Sequence, residues 1–139
     1  MTTTDLGLAI EALHWHDTRL VLVRGGNVLY SSDASGIAPY IHAIQSLGNL
    51  TRGASLADRT SGRASALLSI YAGIGAIYAE TISEGALDIF ANHEIPYRYG
   101  KLVRAILNRR MDAPCPFEQI VKDTYDPGVA FLRLAEAIG

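Results

Sequence analysis

The chain has 139 residues, of which 49% are hydrophobic and 19% charged, and 12 Lys and Arg against 14 Asp and Glu give a net charge of −2. That length suits one domain able to bury about two thirds of its unfolded surface, and that composition excludes a disordered chain. The charge balance leaves no footprint for a nucleic acid polymer, no apolar run is long enough to span a membrane, and Met-Thr-Thr-Thr-Asp lacks the parts of a signal peptide.

Leu6, Ala9, Ile10 and Leu13 recur at helical spacing after Thr4 and Asp5, both good caps. They predict a first helix ending near His14-Trp15-His16. Leu20 to Val23 and Asn27 to Ser31 read as two strands joined by a tight Gly25-Gly26 turn. After a turn at Asp33 to Gly36, Pro39 sits early in a helix with apolar positions Ile37, Ile41, Ile44 and Leu47, closed by Gly48. Ala54 to Ala57 is a short strand. Gly62 to Ala72 is a helix with Ala64, Leu67, Leu68 and Tyr71 inward, and Gly75 to Ala79 is a strand. Strand, helix and strand at this length make a parallel βαβ unit.

A helix from Ser83 to Ala91 follows, with Thr81 and Glu84 at capping-box spacing. Ile95 to Tyr99 is a strand whose Pro96 marks an edge or a strand start. Lys101 to Asn108 reads as a basic helical turn or two, and Phe117 to Lys122 as a short helix opened by Pro116. Val129, Leu132, Ala135 and Ile138 form an apolar stripe on a terminal helix, suited to the domain's own core or to a second subunit. The order predicts one α/β domain over 1–139: a mixed five-stranded sheet flanked by helices, with its core at about 5–122 and a helical extension at 127–138. The single cysteine forms no internal disulfide, which suits a reducing cytoplasm.

The run Asp58-Arg59-Thr60-Ser61-Gly62-Arg63-Ala64 concentrates chemistry at a predicted strand-to-helix junction. Free N–H groups and a positive dipole end make a helix start a ready anion site. Asp58 reads as a general base or ligand acceptor, or as the ion-pair partner of Arg59 or Arg63. Arg59 and Arg63 oppose the dipole at a helix start, so an anionic ligand, Asp58 or Glu84 must account for them. Thr60 and Ser61 read as caps, with Ser61 also in reach of a ligand, and Gly62 permits close backbone approach. Cys115, between Pro114 and Pro116, reads as a thiol activated at a helix start with Glu118 one turn on, or as a small buried side chain. His14, His16, His42 and His93 read as surface or core-edge residues. Lys101, Arg104, Arg109 and Arg110 read as a solvated basic face.

The element order resembles the cytidine-deaminase-like fold. Five segments bring it closer to the family named domain of unknown function 1893: Leu22 to Gly26, Ala57-Asp58-Arg59, Gly62-Arg63-Ala64, Tyr78 to Ser83, and Cys115 to Glu118. The likeness runs from Leu20 to Val121. It implies a three-layer fold and no known reaction. Zinc deaminases need a His-x-Glu or Cys-x-Glu and a Pro-Cys-x-x-Cys. The corresponding helices here read Gly62-Arg63-Ala64-Ser65-Ala66 and Ser83-Glu84-Gly85-Ala86, without thiolate or imidazole. No metal and no cofactor is therefore expected.

Three functions follow. The first is a zinc-free deaminase-like domain binding a small anionic or nucleotide-like ligand, with Asp58, Arg59, Ser61, Gly62, Arg63, Glu84, Cys115 and Glu118 around one pocket. The second is a metal-independent enzyme using Cys115 as nucleophile or Asp58 as base. The third is a non-catalytic assembly module, a homodimer or larger homo-oligomer, whose terminal helix supplies the interface.

Overall fold

A computed structural model describes residues 4–108 and 110–139. The elements are α1 (Asp5–Trp15), β1 (Leu20–Arg24), β2 (Asn27–Ser32), α2 (Ala38–Leu47), a 3-10 turn (Gly48–Thr51), β3 (Ser55–Ser61), α3 (Arg63–Ala72), β4 (Ala76–Ser83), α4 (Glu84–Asn92), β5 (Tyr97–Val103), α5 (Pro116–Ile120) and α6 (Pro127–Ile138). They build one five-stranded sheet in the order β2-β1-β3-β4-β5. β1 runs antiparallel to β2 and β3, whereas β3, β4 and β5 are mutually parallel.

The continuous apolar run Leu20 to Val23 is explained by cover on both faces of the sheet. Alternation sends Leu20 and Leu22 into a large core built with α2, α3, α4 and α6, and sends Val21 and Val23 into a smaller one under α1. The β1–β2 turn needs two left-handed residues, and Gly25 and Gly26 supply them at φ 59° and 79°. The Asp5 carboxylate accepts the N–H of Gly25 at 2.8 Å and of Gly26 at 2.9 Å, so the start of α1 also fastens the hairpin. Thr4 caps α1 by accepting the Gly7 N–H at 3.0 Å.

Four sequence expectations need correction. β3 runs on to Ser61, so Asp58 to Ser61 belong to the strand, with Gly62 at the cap position of α3. Ser83 caps α4, accepting the Ala86 N–H at 3.1 Å, while Thr81 lies within β4. Lys101 is strand rather than helix: β5 extends through Val103 because it keeps pairing with Thr81, Ile82 and Ser83. Beyond it, the only pairing of this stretch among the described residues is a bridge between Leu107 and Pro114. Of the predicted basic cluster, Arg109 lies outside the described residues.

The fourth correction concerns α6. Its inward residues are Ala130 and Leu134, with Phe131, Ala135 and Ile138 packed beside them, whereas Leu132 is 69% exposed. The helix therefore covers the domain's own core, lying across α2 and α3, and Phe131 stacks with ring centroids 4.3 Å apart on Tyr71, which is exposed rather than inward as its spacing on α3 suggested. Leu134→Ala should cost about 2–5 kcal/mol, because a fully buried side chain leaves a cavity. Urea unfolding measures this, and a loss below about 1 kcal/mol would place α6 outside the cooperative core.

Candidate functional site

Strand geometry decides the fate of the acidic and basic candidates. Because β3 includes Asp58 and Arg59, consecutive side chains leave on opposite faces of the sheet. Asp58 follows Leu56 toward α2 and α3, and Arg59 follows Ala57 toward α1. They are not an ion pair.

Arg59 is a structural clamp. Its Nε donates to the Thr18 carbonyl at 2.8 Å, its Nη2 to the Leu13 carbonyl at 2.7 Å, and its Nη1 pairs with Glu80 Oε2 at 2.5 Å. Leu13 lies in the last turn of α1, where a cation complements the negative end of the dipole. All three contacts lie on the α1 side of the sheet.

Asp58 lies half-buried beneath α3. Its carboxylate accepts from the Thr60 N–H at 3.4 Å and from Ser65 Oγ at 3.3 Å. Loss of water pushes its pKa up to about 7, against the bonds from Thr60, Ser65 and the Arg59 N–H that pull it down. Nearby, the buried Tyr40 hydroxyl meets Ser69 Oγ at 2.7 Å, and Ser69 Oγ donates to the Ser65 carbonyl at 3.0 Å. Burial, with the Asp58 charge added, holds the Tyr40 hydroxyl far above the usual tyrosine range. Ser61 Oγ is buried without a hydrogen-bond partner among the described residues.

The start of α3 already holds a carboxylate. Glu118 Oε1 accepts the Arg63 N–H and Oε2 the Ala64 N–H, each at 2.7 Å. Gly62 is the cap residue because of this: a Cβ there would overlap the Glu118 carboxyl and come 2.8 Å from Ile106 Cγ1. Arg63 answers in the other direction. Its Nε donates to the Val121 carbonyl at 3.0 Å and its Nη2 to the Thr124 carbonyl at 2.5 Å, with the guanidinium 4.4 Å from the centre of the Tyr125 ring. Burial pushes the Glu118 carboxyl above the usual glutamate range, although both N–H bonds and the Arg63 charge oppose this.

Beside this clamp opens a cleft of about 270 Å³, lined by Arg63, Ser83, Gly85, Arg104, Ala105, Pro114, Glu118, Gln119 and Lys122. It lies between the starts of α3 and α4, beyond the C-terminal ends of β3 and β4. Open parallel sheets commonly bind ligands in that position. Arg104 and Lys122 are exposed and form no ion pair among the described residues. Neither stands out in the sequence as a pocket residue: Arg104 belongs to the basic cluster, and Lys122 ends a segment that also carries Glu118 and Asp123 and has no basic character. Of the predicted residues, the cleft brings together Arg63 and Glu118, with Gly62 behind the carboxylate. Glu84 is exposed in the first turn of α4, and Cys115 is the half-buried cap residue of α5. Neither of them lines the cleft.

The raised Asp58 pKa has a definite sign. Between its ordinary 3.8 and about 7 the folded state holds a proton that the unfolded chain has lost. Its contribution is therefore fully present below about 4 and is lost as pH rises to about 7. Asp58→Asn should remove that slope, leaving the variant more stable than the parent at pH 8 by at most about 4 kcal/mol. Urea unfolding from pH 4 to 8 checks this, and parallel profiles for the two proteins would refute it.

The family model described as domain of unknown function, DUF1893 (TM1506), matches residues 8–138. The chain is similar to the crystal structure of a DUF1893 family protein (TM1506) from Thermotoga maritima, with a TM-score of 0.89 and 22% sequence identity, covering 99% of this chain and 92% of that one. At that identity the likeness is one of fold. No curated protein matches. With the family model spanning nearly its whole length, this chain belongs to the DUF1893 family.

Proposed function

We propose that this protein binds a small anionic, nucleotide-like ligand in the cleft between the starts of α3 and α4. The observation that carries the reading is the lining: Arg63, Arg104 and Lys122 border the cleft together with one carboxylate, Glu118, whose two oxygens are bonded to backbone N–H groups. Glu118 fills the anion position of α3, so an incoming anion meets the charges of Arg104 and Lys122. Arg63 contributes field rather than direct bonds, because its Nε and Nη2 are held by backbone carbonyls. A volume of about 270 Å³ suits a ligand at the small end of the usual range.

The strand order is compatible with a deaminase-like fold. The two helix starts corresponding to the zinc motifs in that likeness carry Gly62-Arg63 and Ser83-Glu84. Binding is better supported than catalysis, since Asp58 lies under α3 and Cys115 outside the cleft lining. A single cysteine fits a cytoplasmic setting, and no helix among the described residues is long and apolar enough to cross a membrane.

A thermal-shift series with inorganic phosphate, nucleoside monophosphates and sugar phosphates tests the reading. A ligand at about a hundred times its Kd should add roughly 2.7 kcal/mol and raise Tm by several degrees. Arg104→Ala with Lys122→Ala should keep the parent Tm and lose the shift. An equal shift in that variant, or no shift with any compound, would overturn the proposal.

A further inference from the structure

The last strand of the sheet is unusual in charge, exposure and edge geometry together. Residues 95–111 carry five of the chain's 12 Lys and Arg residues and none of its 14 Asp and Glu residues. The net charge of −2 therefore conceals a basic segment on an otherwise acidic molecule. Within β5, Arg98 and Lys101 are exposed and form no ion pair among the described residues. Tyr97, Tyr99 and Leu102 are 37%, 43% and 42% exposed, and the two tyrosine rings line up at 6.4 Å.

β5 is also an open edge. It pairs with β4 on one side and, among the described residues, with nothing on the other. The Ile77 N–H bonds the Pro96 carbonyl, so the parallel ladder turns the backbone groups of Pro96, Arg98, Gly100 and Leu102 toward β4. The N–H and C=O groups of Tyr97, Tyr99, Lys101 and Val103 consequently point outward, and among the described residues nothing pairs with them. The opposite edge differs. β2 is bent by a register shift between Leu22 and Val23, a feature that discourages strand addition, whereas β5 keeps one register throughout.

We propose that β5 is a docking edge for an extended acidic peptide, which adds to the sheet as a sixth strand. The outward backbone groups supply affinity without regard to sequence. Arg98 on one face and Lys101 on the other select carboxylates at positions of opposite parity in the added strand, and Tyr97, Tyr99 and Leu102 take apolar side chains between them. A second copy of β5 fits less well, because it would bring four cations onto one short seam. A nucleic acid would meet the charges and rings but leave the edge N–H groups unpaired. The proposal does not depend on the cleft, which uses neither Arg98 nor Lys101.

The test uses the full chain and three labelled probes: a Glu/Val peptide of about nine residues, its Lys/Val counterpart, and a single-stranded oligothymidine of similar length. Fluorescence anisotropy should show the acidic peptide binding at least about tenfold more tightly than either other probe. Arg98→Glu with Lys101→Glu, both at exposed positions, should reverse the preference between the two peptides. Amide hydrogen exchange in the acidic complex should slow at Tyr99, Lys101 and Val103, with Arg98 and Gly100 unchanged because they already face β4. No binding of the acidic peptide, binding without slowing of those amides, or tighter binding of the oligothymidine would overturn the proposal. So would a concentration-dependent dimer that protects the same amides in the absence of peptide.

Discussion

The reciprocal grip between Arg63 and Glu118 joins the last quarter of the chain to the rest. One carboxylate satisfies the first two N–H groups of α3, and the first side chain of α3 satisfies two carbonyls that follow α5. Hydrogen bonds to a charged partner contribute roughly 1.5–3 kcal/mol each when the exchange with water is counted. Desolvation of Glu118 offsets part of this, as its raised pKa records. What remains locks α5 against the start of α3 and sets the path from which α6 descends onto α2 and α3.

That grip also shapes the chemistry of the cleft. A helix start left open would attract any small anion. Here an internal carboxylate occupies it, and the available positive charge moves outward to Arg104 and Lys122. On the other side of the sheet, Arg59 performs a similar task for α1, tying the Leu13 and Thr18 carbonyls to β3. Two arginines four residues apart thus fasten two different layers, with the strand-to-helix turn at Gly62 between them. Asp58, between α3 and the sheet, is hydrogen-bonded to a hydroxyl and backbone donors, and a cation, Arg19, acts on it only through its charge.

Much of the architecture was legible in the sequence because local patterns matched their surroundings. The Gly25-Gly26 hairpin, the early Pro39 in α2, the βαβ unit and the order of all five strands appear where the patterns put them. The errors share one cause. A strand's end depends on its neighbour, and neither Thr60-Ser61 nor Lys101-Leu102-Val103 looks like a strand until β4 lies beside it. Ending β3 at Ala57 kept Asp58 and Arg59 in one imagined loop, when pleating sends them to opposite faces. The stripe of α6 was misread for a similar reason. Ala130 is small enough to pass for neutral, yet with Leu134 it marks the buried side, and only the packing of α2 and α3 reveals this. The partnership of Gly62 with Glu118 spans more than fifty residues and has no local signature.

The measurement that bears most directly on this account is an NMR pH titration of the Arg63 and Ala64 amides, in the parent and in Glu118→Gln. The account predicts that both amides resist hydrogen exchange and shift together as one carboxylate titrates above the usual glutamate range. In the variant the titration should disappear and one of the two amides should lose its protection, because Gln offers one acceptor oxygen where Glu118 offers two. Amides that exchange as freely as an uncapped helix start, or that ignore both pH and the substitution, would show that Glu118 does not hold α3.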